Sequence, residues 1–319
     1  MVADREVRRA VHTATRGQSW AHETQFFKSE TQPQRMQSFA VPDSVPGFTK
    51  RRDVWVEAEL ASRMTLVSKE ERWARDVLAI PHNGIRKELV GLYIMLESIY
   101  CRSLAISALE LEDFFSWFDE FEAYLNEYFR FEDRMLFPLL KSWDVTVSRP
   151  YVIQGKSRAE MRLDLASLLT EVAKCSTLAL DKHAKADMID VLYKVGLEIP
   201  PLIMEYFRQQ ETFLPAQIEK QANTERIQVL RRCYWEYVRT CCNPAWTFHL
   251  TTRWISDPAL LSSLENRFCE DKRPILKMLA KKRLRKEYKR VSQAHISPVQ
   301  RYLLAVDVNA DLPLAYLDY

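Results

Sequence analysis

The sequence predicts an all-α protein, and three observations carry that expectation. Glycine is scarce, 6 in 319 residues, which leaves few of the tight turns that chains of short strands require. Apolar residues return every three or four positions over long stretches, the period of a helix with one buried face. Nowhere do several short alternating strands follow one another. At 47% hydrophobic and 28% charged residues the chain can bury a sizeable core, and its length suits one domain with extensions.

Residues 1–53 are polar, hold Pro33, Pro42 and Pro46, and lack helical periodicity, which predicts an N-terminal arm. A lead-in helix is expected between Val54 and Val77, where Ser68 precedes Glu70 and Glu71 in the manner of a helix start with acids in its first turn. Arm and lead-in helix together make residues 1–76.

From His82 to Cys101, Ile85, Leu89, Leu92, Leu96 and Ile99 fall at steps of four and three, one buried stripe on a first core helix. A second follows with Phe114, Phe118, Phe121, Leu125, Tyr128, Glu132, Met135 and Leu139, running past Pro138 to about Trp143. The third begins near Ser157 and aligns Arg158, Met161, Leu165, Leu168, Val172 and Cys175. The fourth follows Pro200 and Pro201, a favoured opening for a helix, and aligns Met204, Phe207, Glu211, Leu214 and Ile218. Residues 181–197 read as a further helix or as an early, kinked part of the fourth.

The two halves of this region repeat. The run His82 to Leu92 matches Arg158 to Leu168 in pattern, the Glu-Tyr-Phe-Arg string at Glu127 recurs at Glu205, and Leu136-Phe137-Pro138 returns as Phe213-Leu214-Pro215. Two duplicated helical hairpins bury their stripes most simply as an up-down four-helix bundle. The expected fold is therefore such a bundle over residues 77–222, with the N-terminal arm before it and a C-terminal helical extension after it.

The strings Pro81 to Leu89 and Glu132 to Pro138, with Arg158 to Leu169 and Tyr206 to Pro215 in the second half, resemble the signatures of the hemerythrin-like (HHE) domain, over roughly Val77 to Lys220. That resemblance implies a di-iron pocket. Each half would supply a histidine from its first helix, then a histidine and, four residues later, a carboxylate from its second. Residues four apart share a helix face and can grip one ion together. His82 matches the first ligand, but the second histidine falls at Tyr128 or Phe129, with Glu132 or Asp133 in the carboxylate place. In the second half the positions read Arg158, then Tyr206 or Phe207, then Gln210 or Glu211.

One histidine remains where the family has several, and a permanent guanidinium at position 158 repels a cation. In an antiparallel bundle His82, Arg158, Glu132 and Glu211 converge at one end. Arg158 is then expected to occupy the metal position and pair with Glu132, Glu211 or both, because a buried charge needs a partner. On the other reading Arg158 is a solvated helix-start residue and His82 a hydrogen-bonded core or capping histidine. A residual single-metal site from His82, Glu132 and Glu211 is the third alternative. His183, in a charged turn, reads as solvent-exposed.

The extension, residues 223–319, contains an aromatic loop with Pro244, Trp246 and His249, helical stretches near 257–268 and 274–291, and an apolar tail after Ala305. Between Asp271 and Arg290 stand ten Lys or Arg and two acids; the rest of the chain carries 36 basic against 41 acidic residues. This basic helix, residues 271–291, therefore sets the sign of the net charge. Ile275, Leu279, Leu284, Tyr288 and Val291 read as an apolar stripe toward the protein, leaving Lys277, Lys281, Lys282, Arg285 and Lys289 for a protein partner, an acidic surface or nucleic acid, or simply for solvent.

No run of about 18 apolar residues appears, and residues 1–19 lack the apolar stretch of a secretory signal, so an intracellular, cytoplasmic protein with no transmembrane segment is expected. The six cysteines show neither CxxC nor paired zinc spacing. There is no phosphate-binding glycine loop and no nucleophile beside a base. These readings favour a non-catalytic interaction or scaffold protein without a cofactor. The alternative is an iron-binding protein that senses or carries oxygen or another small redox ligand.

Overall fold

The computed structural model describes residues 73–103, 105–145, 157–178, 185–269 and 274–305, all within the unit formed by residues 43–319. The N-terminal arm, most of the lead-in helix, His183 and the tail beyond Ala305 lie outside them. The described residues are all-helical, with no strand among them.

The first described helix, α1 (Trp73–Cys101), includes the residues before His82 and carries Pro81 inside it. α2 (Ala108–Phe131) opens on a capping box in which the Glu110 amide donates to Ser107 Oγ and the Ser107 amide donates to Glu110. Two reciprocal bonds satisfy amides that a helix start leaves without partners. Without a break in the rod, α2 passes through a π turn (Glu132–Leu136) into α3 (Phe137–Ser142). α4 (Arg158–Leu178) repeats the capping box with Ser157 and Glu160. α5 (Lys185–Gly196) is a separate helix, and α6 (Ile199–Lys220) starts behind it with Pro200 and Pro201 in its first turn and Pro215 further along.

The π turn explains a numerical mismatch in the repeat. Glu127 and Glu205 are 78 positions apart, whereas Pro138 and Pro215 are 77 apart. The first half therefore holds one extra residue between the two markers, where the π turn lies. A π turn is how a helix absorbs one inserted residue while the flanking turns stay in phase. Pro138 stands two residues beyond it, in the first turn of α3, where a helix tolerates proline.

α7 (Thr224–Thr240), α8 (Pro244–Thr252), α9 (Pro258–Phe268) and α10 (Pro274–Val291) follow; a second π turn (Ser292–Ile296) leads into α11 (Ser297–Ala305). α7 is capped by Asn223 and α9 by Asp257. From Ala245 to Thr252 every residue of α8 is buried, because the helix packs between α1, α7 and α10. Gly84 of α1 faces Thr251, and a Cβ added there would stand 2.7 Å from the Thr251 Cα. Only a residue without a side chain lets the two backbones approach so closely.

α1 is thus covered on both sides. Its stripe of Ile85, Leu89, Leu92, Leu96 and Ile99 is buried, and so are His82, Asn83, Arg86 and Glu88 on the remaining faces. A single apolar cluster runs from Ala74 through the core helices to Leu230, Phe248, Leu284 and Tyr302. The C-terminal helices contribute to the same core as residues 77–222.

The apolar stripe expected on the basic helix is corrected. Leu284 and Val291 are buried, but Ile275, Leu279 and Tyr288 are exposed. The step from Leu279 to Leu284 is five residues, about 500° at 3.6 residues per turn, so it carries the pattern nearly to the opposite side. No described helix is long and apolar enough to cross a membrane.

Candidate functional site

The polar residues of α1, α2, α4 and α6 meet in a buried network with two centres. At the first, Glu211 of α6 accepts from His82 Nδ1 at 2.7 Å and from Arg86 Nη1 at 2.8 Å and Nη2 at 3.1 Å. Arg86 and His82 are four apart on α1 and share a face. Burial alone would raise the Glu211 carboxyl; His82 and Arg86 outweigh it and bring it down to about 2. Burial pushes His82 below its ordinary value, against the pull of Glu211.

At the second centre, Glu132 has no exposed surface and both of its oxygens are fully engaged. Oε1 accepts from the Tyr128 hydroxyl at 2.7 Å and from Gln210 Nε2, and Oε2 accepts from the Tyr206 hydroxyl at 2.7 Å and Arg158 Nη2 at 2.8 Å. Arg158 also donates through Nε to the Tyr206 oxygen and pairs with Asp133 at 2.9 Å. Its guanidinium is held above its ordinary value despite burial, by Tyr206 and Glu132.

Tyr128 joins the centres, since its oxygen lies 2.6 Å from His82 Nε2 and 2.7 Å from Glu132 Oε1. An ionised Glu211 can only accept, so Nδ1 of His82 carries the hydrogen between them. His82 and Glu132 have no exposed surface.

The network also repeats. His82 and Arg86 of the first half grip Glu211 of the second, while Arg158 and Arg162 of the second grip Asp133 of the first, with Arg162 Nη1 at 2.5 Å. His82 stacks on Phe207 with ring centroids 3.9 Å apart, and the repeat counterpart of Phe207, Phe129, lies under Arg162 at 4.7 Å. The symmetry fails at His82, which corresponds to Arg158, and again at Glu132, which corresponds to Gln210 and sits in contact with it. Two carboxylates so close would repel, so one of them is an amide.

Of the residues singled out from the sequence, His82 and Glu211 touch, Arg158 and Glu132 touch, and Arg158 is not a partner of Glu211, whose cation is Arg86. The reason is position: Arg86 stands one turn after His82, while Arg158 is drawn to the end of α4 nearest Glu132 and Asp133. The tyrosines count only as lost ligands in the sequence reading, yet their hydroxyls are the donors that hold Glu132. Arg86 carried a signal, its four-residue spacing from His82.

A second buried cluster gave no signal that a single sequence reveals. His295, in the second π turn, lies with Nδ1 3.2 Å from Glu88 and Nε2 2.7 Å from Glu120; Arg253 pairs with Glu88 at 2.9 Å. Burial pulls the His295 imidazole down, but the two carboxylates outweigh it and raise it above its ordinary value. On the basic helix, Lys282, Arg285 and Lys289 are exposed, whereas Lys277 and Lys281 are half-buried.

These donors do not fit a pair of iron ions. A guanidinium stands 2.8 Å from Glu132 where the hemerythrin resemblance would call for a ligand histidine, and Tyr128 and Tyr206, two of the four candidates for the second-helix histidines, donate to that same carboxylate. Among the described residues no group of three or more His, Cys, Asp or Glu is placed to hold a metal ion. Compared with family models, with curated proteins and with solved structures, the chain matches none.

Proposed function

We propose that residues 77–222 form a hemerythrin-like four-helix bundle whose metal position has been rebuilt from ion pairs, and that the protein is a non-catalytic interaction or scaffold protein. The observation that carries this reading is the full engagement of Glu132. A carboxylate already accepting from two phenols, an amide and a guanidinium has no lone pair in reserve for a metal, and replacing those donors would strand Arg158. The reciprocal grips across the two halves support the paired-hairpin arrangement. The burial of His82 and Glu132 supports a structural role for this end of the bundle, leaving the surface to carry the activity.

The test is elemental analysis of the purified, untagged protein after iron-supplemented aerobic expression, beside a His82→Ala control. A folded, metal-free chain is expected. Iron near two atoms per chain, lost in the control, would replace this reading with that of an oxygen or redox protein.

A further inference from the structure

Helix α10 has two apolar faces and uses one. Leu284 and Val291 are buried against the body, and the Leu284 carbonyl accepts from His249 Nε2 at 2.7 Å, which fixes how the helix is turned about its axis. Ile275, Met278 and Leu279 point the other way, 69%, 63% and 50% exposed. At 3.6 residues per turn the same outward stripe continues through Lys282, Lys286 and Lys289, flanked by Arg283, Arg285 and Arg290, and all six cations are exposed. Within α10 the single acid, Glu287, faces Arg290. The outward surface is therefore an aliphatic end followed by a cationic ridge about 12 Å long at 1.5 Å per residue.

We infer that this stripe docks on an anionic lipid bilayer. Six cations on one ridge require an anionic occupant, which rules out a second copy of the helix, whose own ridge would repel it. Nucleic acid would satisfy the cations but gives three aliphatic side chains nothing to enter. Nor does the outward stripe offer a ring for base stacking; Tyr288, the helix's aromatic residue, lies on its flank with its ring 5.3 Å from that of His249. A bilayer meets both demands. Its acyl region accepts Ile275, Met278 and Leu279, and its anionic headgroups lie along the lysines and arginines. The inference rests on the interaction reading above only in treating α10 as a contact surface, and needs no particular state of the buried network.

The test is flotation of the full chain with vesicles of phosphatidylcholine alone and with about one third phosphatidylserine, at low and high salt, beside two variants. Association at least about tenfold stronger with the anionic vesicles is expected. It should be abolished in Lys282→Glu/Lys286→Glu/Lys289→Glu and reduced in Ile275→Ser/Met278→Ser/Leu279→Ser. All six side chains are exposed, and circular dichroism verifies that both variants keep their helices. Equal binding to the two vesicle types, no binding, or wild-type binding by either variant overturns the proposal. Should the aliphatic variant also hold duplex DNA as tightly as the wild type does, the ridge belongs to nucleic-acid phosphates instead. Iron content measured on the same preparation keeps a failure here separate from a failure of the metal-free reading.

Discussion

Arg158 reaches Glu132 at 2.8 Å from the open end of the network, its guanidinium side chain one-fifth exposed while the carboxylate has no exposure at all. That asymmetry decides which partner is costlier to lose. After Glu132→Gln, Arg158 keeps Asp133 and can turn toward water, so the loss should fall below the usual cost of breaking a buried pair, at about 2 kcal/mol. After Arg158→Met, Glu132 stays buried with neutral donors only, and about 3–4 kcal/mol should go. Urea midpoints of the two variants give the order, and a larger loss for Glu132→Gln would contradict it.

The His295 cluster makes stability fall toward alkaline pH. The folded-state value of His295 is raised above the ordinary 6.5, so its contribution is complete below that pH and is lost as pH rises through the folded value. His295→Gln should therefore cost most near pH 6 and progressively less in alkaline buffer. Denaturant unfolding of both proteins at two pH values measures the difference, and a penalty that grows with pH would show that the imidazole is held neutral.

Much of the architecture was legible because a helix advertises its buried face. Phe114, Phe118, Phe121 and Leu125 recur at helical spacing and are buried, as are Met204, Phe207, Leu214 and Ile218. What failed were the cases where the covering element is remote in sequence. Glu88 lies on a second face of α1, and its partners, Arg253 and His295, come more than 160 positions later; no local pattern announces such a pair. The apolar pattern of the basic helix misleads because the step from Leu279 to Leu284 is five positions, not four. Tyr128 and Tyr206 stand among the candidate positions for a missing imidazole, yet their hydroxyls are donors to the carboxylate.

Gly84→Ala pits propensity against packing. Alanine gains about 1 kcal/mol within a helix, but its Cβ would sit 2.4 Å from the Tyr124 hydroxyl oxygen and 2.7 Å from a backbone carbon of α8. Backbone cannot swing aside, and overpacking of this kind costs about 1–3 kcal/mol. A net loss is expected. Gly196→Ala meets the movable end of Leu96 at 2.6 Å and should lose less. Thermal melts of the two variants test the contrast.

Removing Arg134, an exposed residue of the first π turn, should convert that turn to regular α-helix and leave the downstream contacts of Leu140 in phase. Deleting Glu122, inside regular α2, shifts every later side chain by about 100°. Cooperative unfolding is expected to survive the first deletion and not the second, as circular dichroism during a urea titration would report.

The burial of α8 from Ala245 to Thr252 bears on how the chain reaches its native state during synthesis. α1 is among the earliest described segments to leave the ribosome, yet the surface around Gly84 and Glu88 is closed by Thr251, Arg253 and His295, which are translated more than 160 residues afterwards. Contacts of such long sequence separation slow folding and leave apolar surface open in the interval. A nascent chain halted before residue 244 therefore lacks the residues that cover this flank of α1, and the core can close only once the C-terminal helices have emerged.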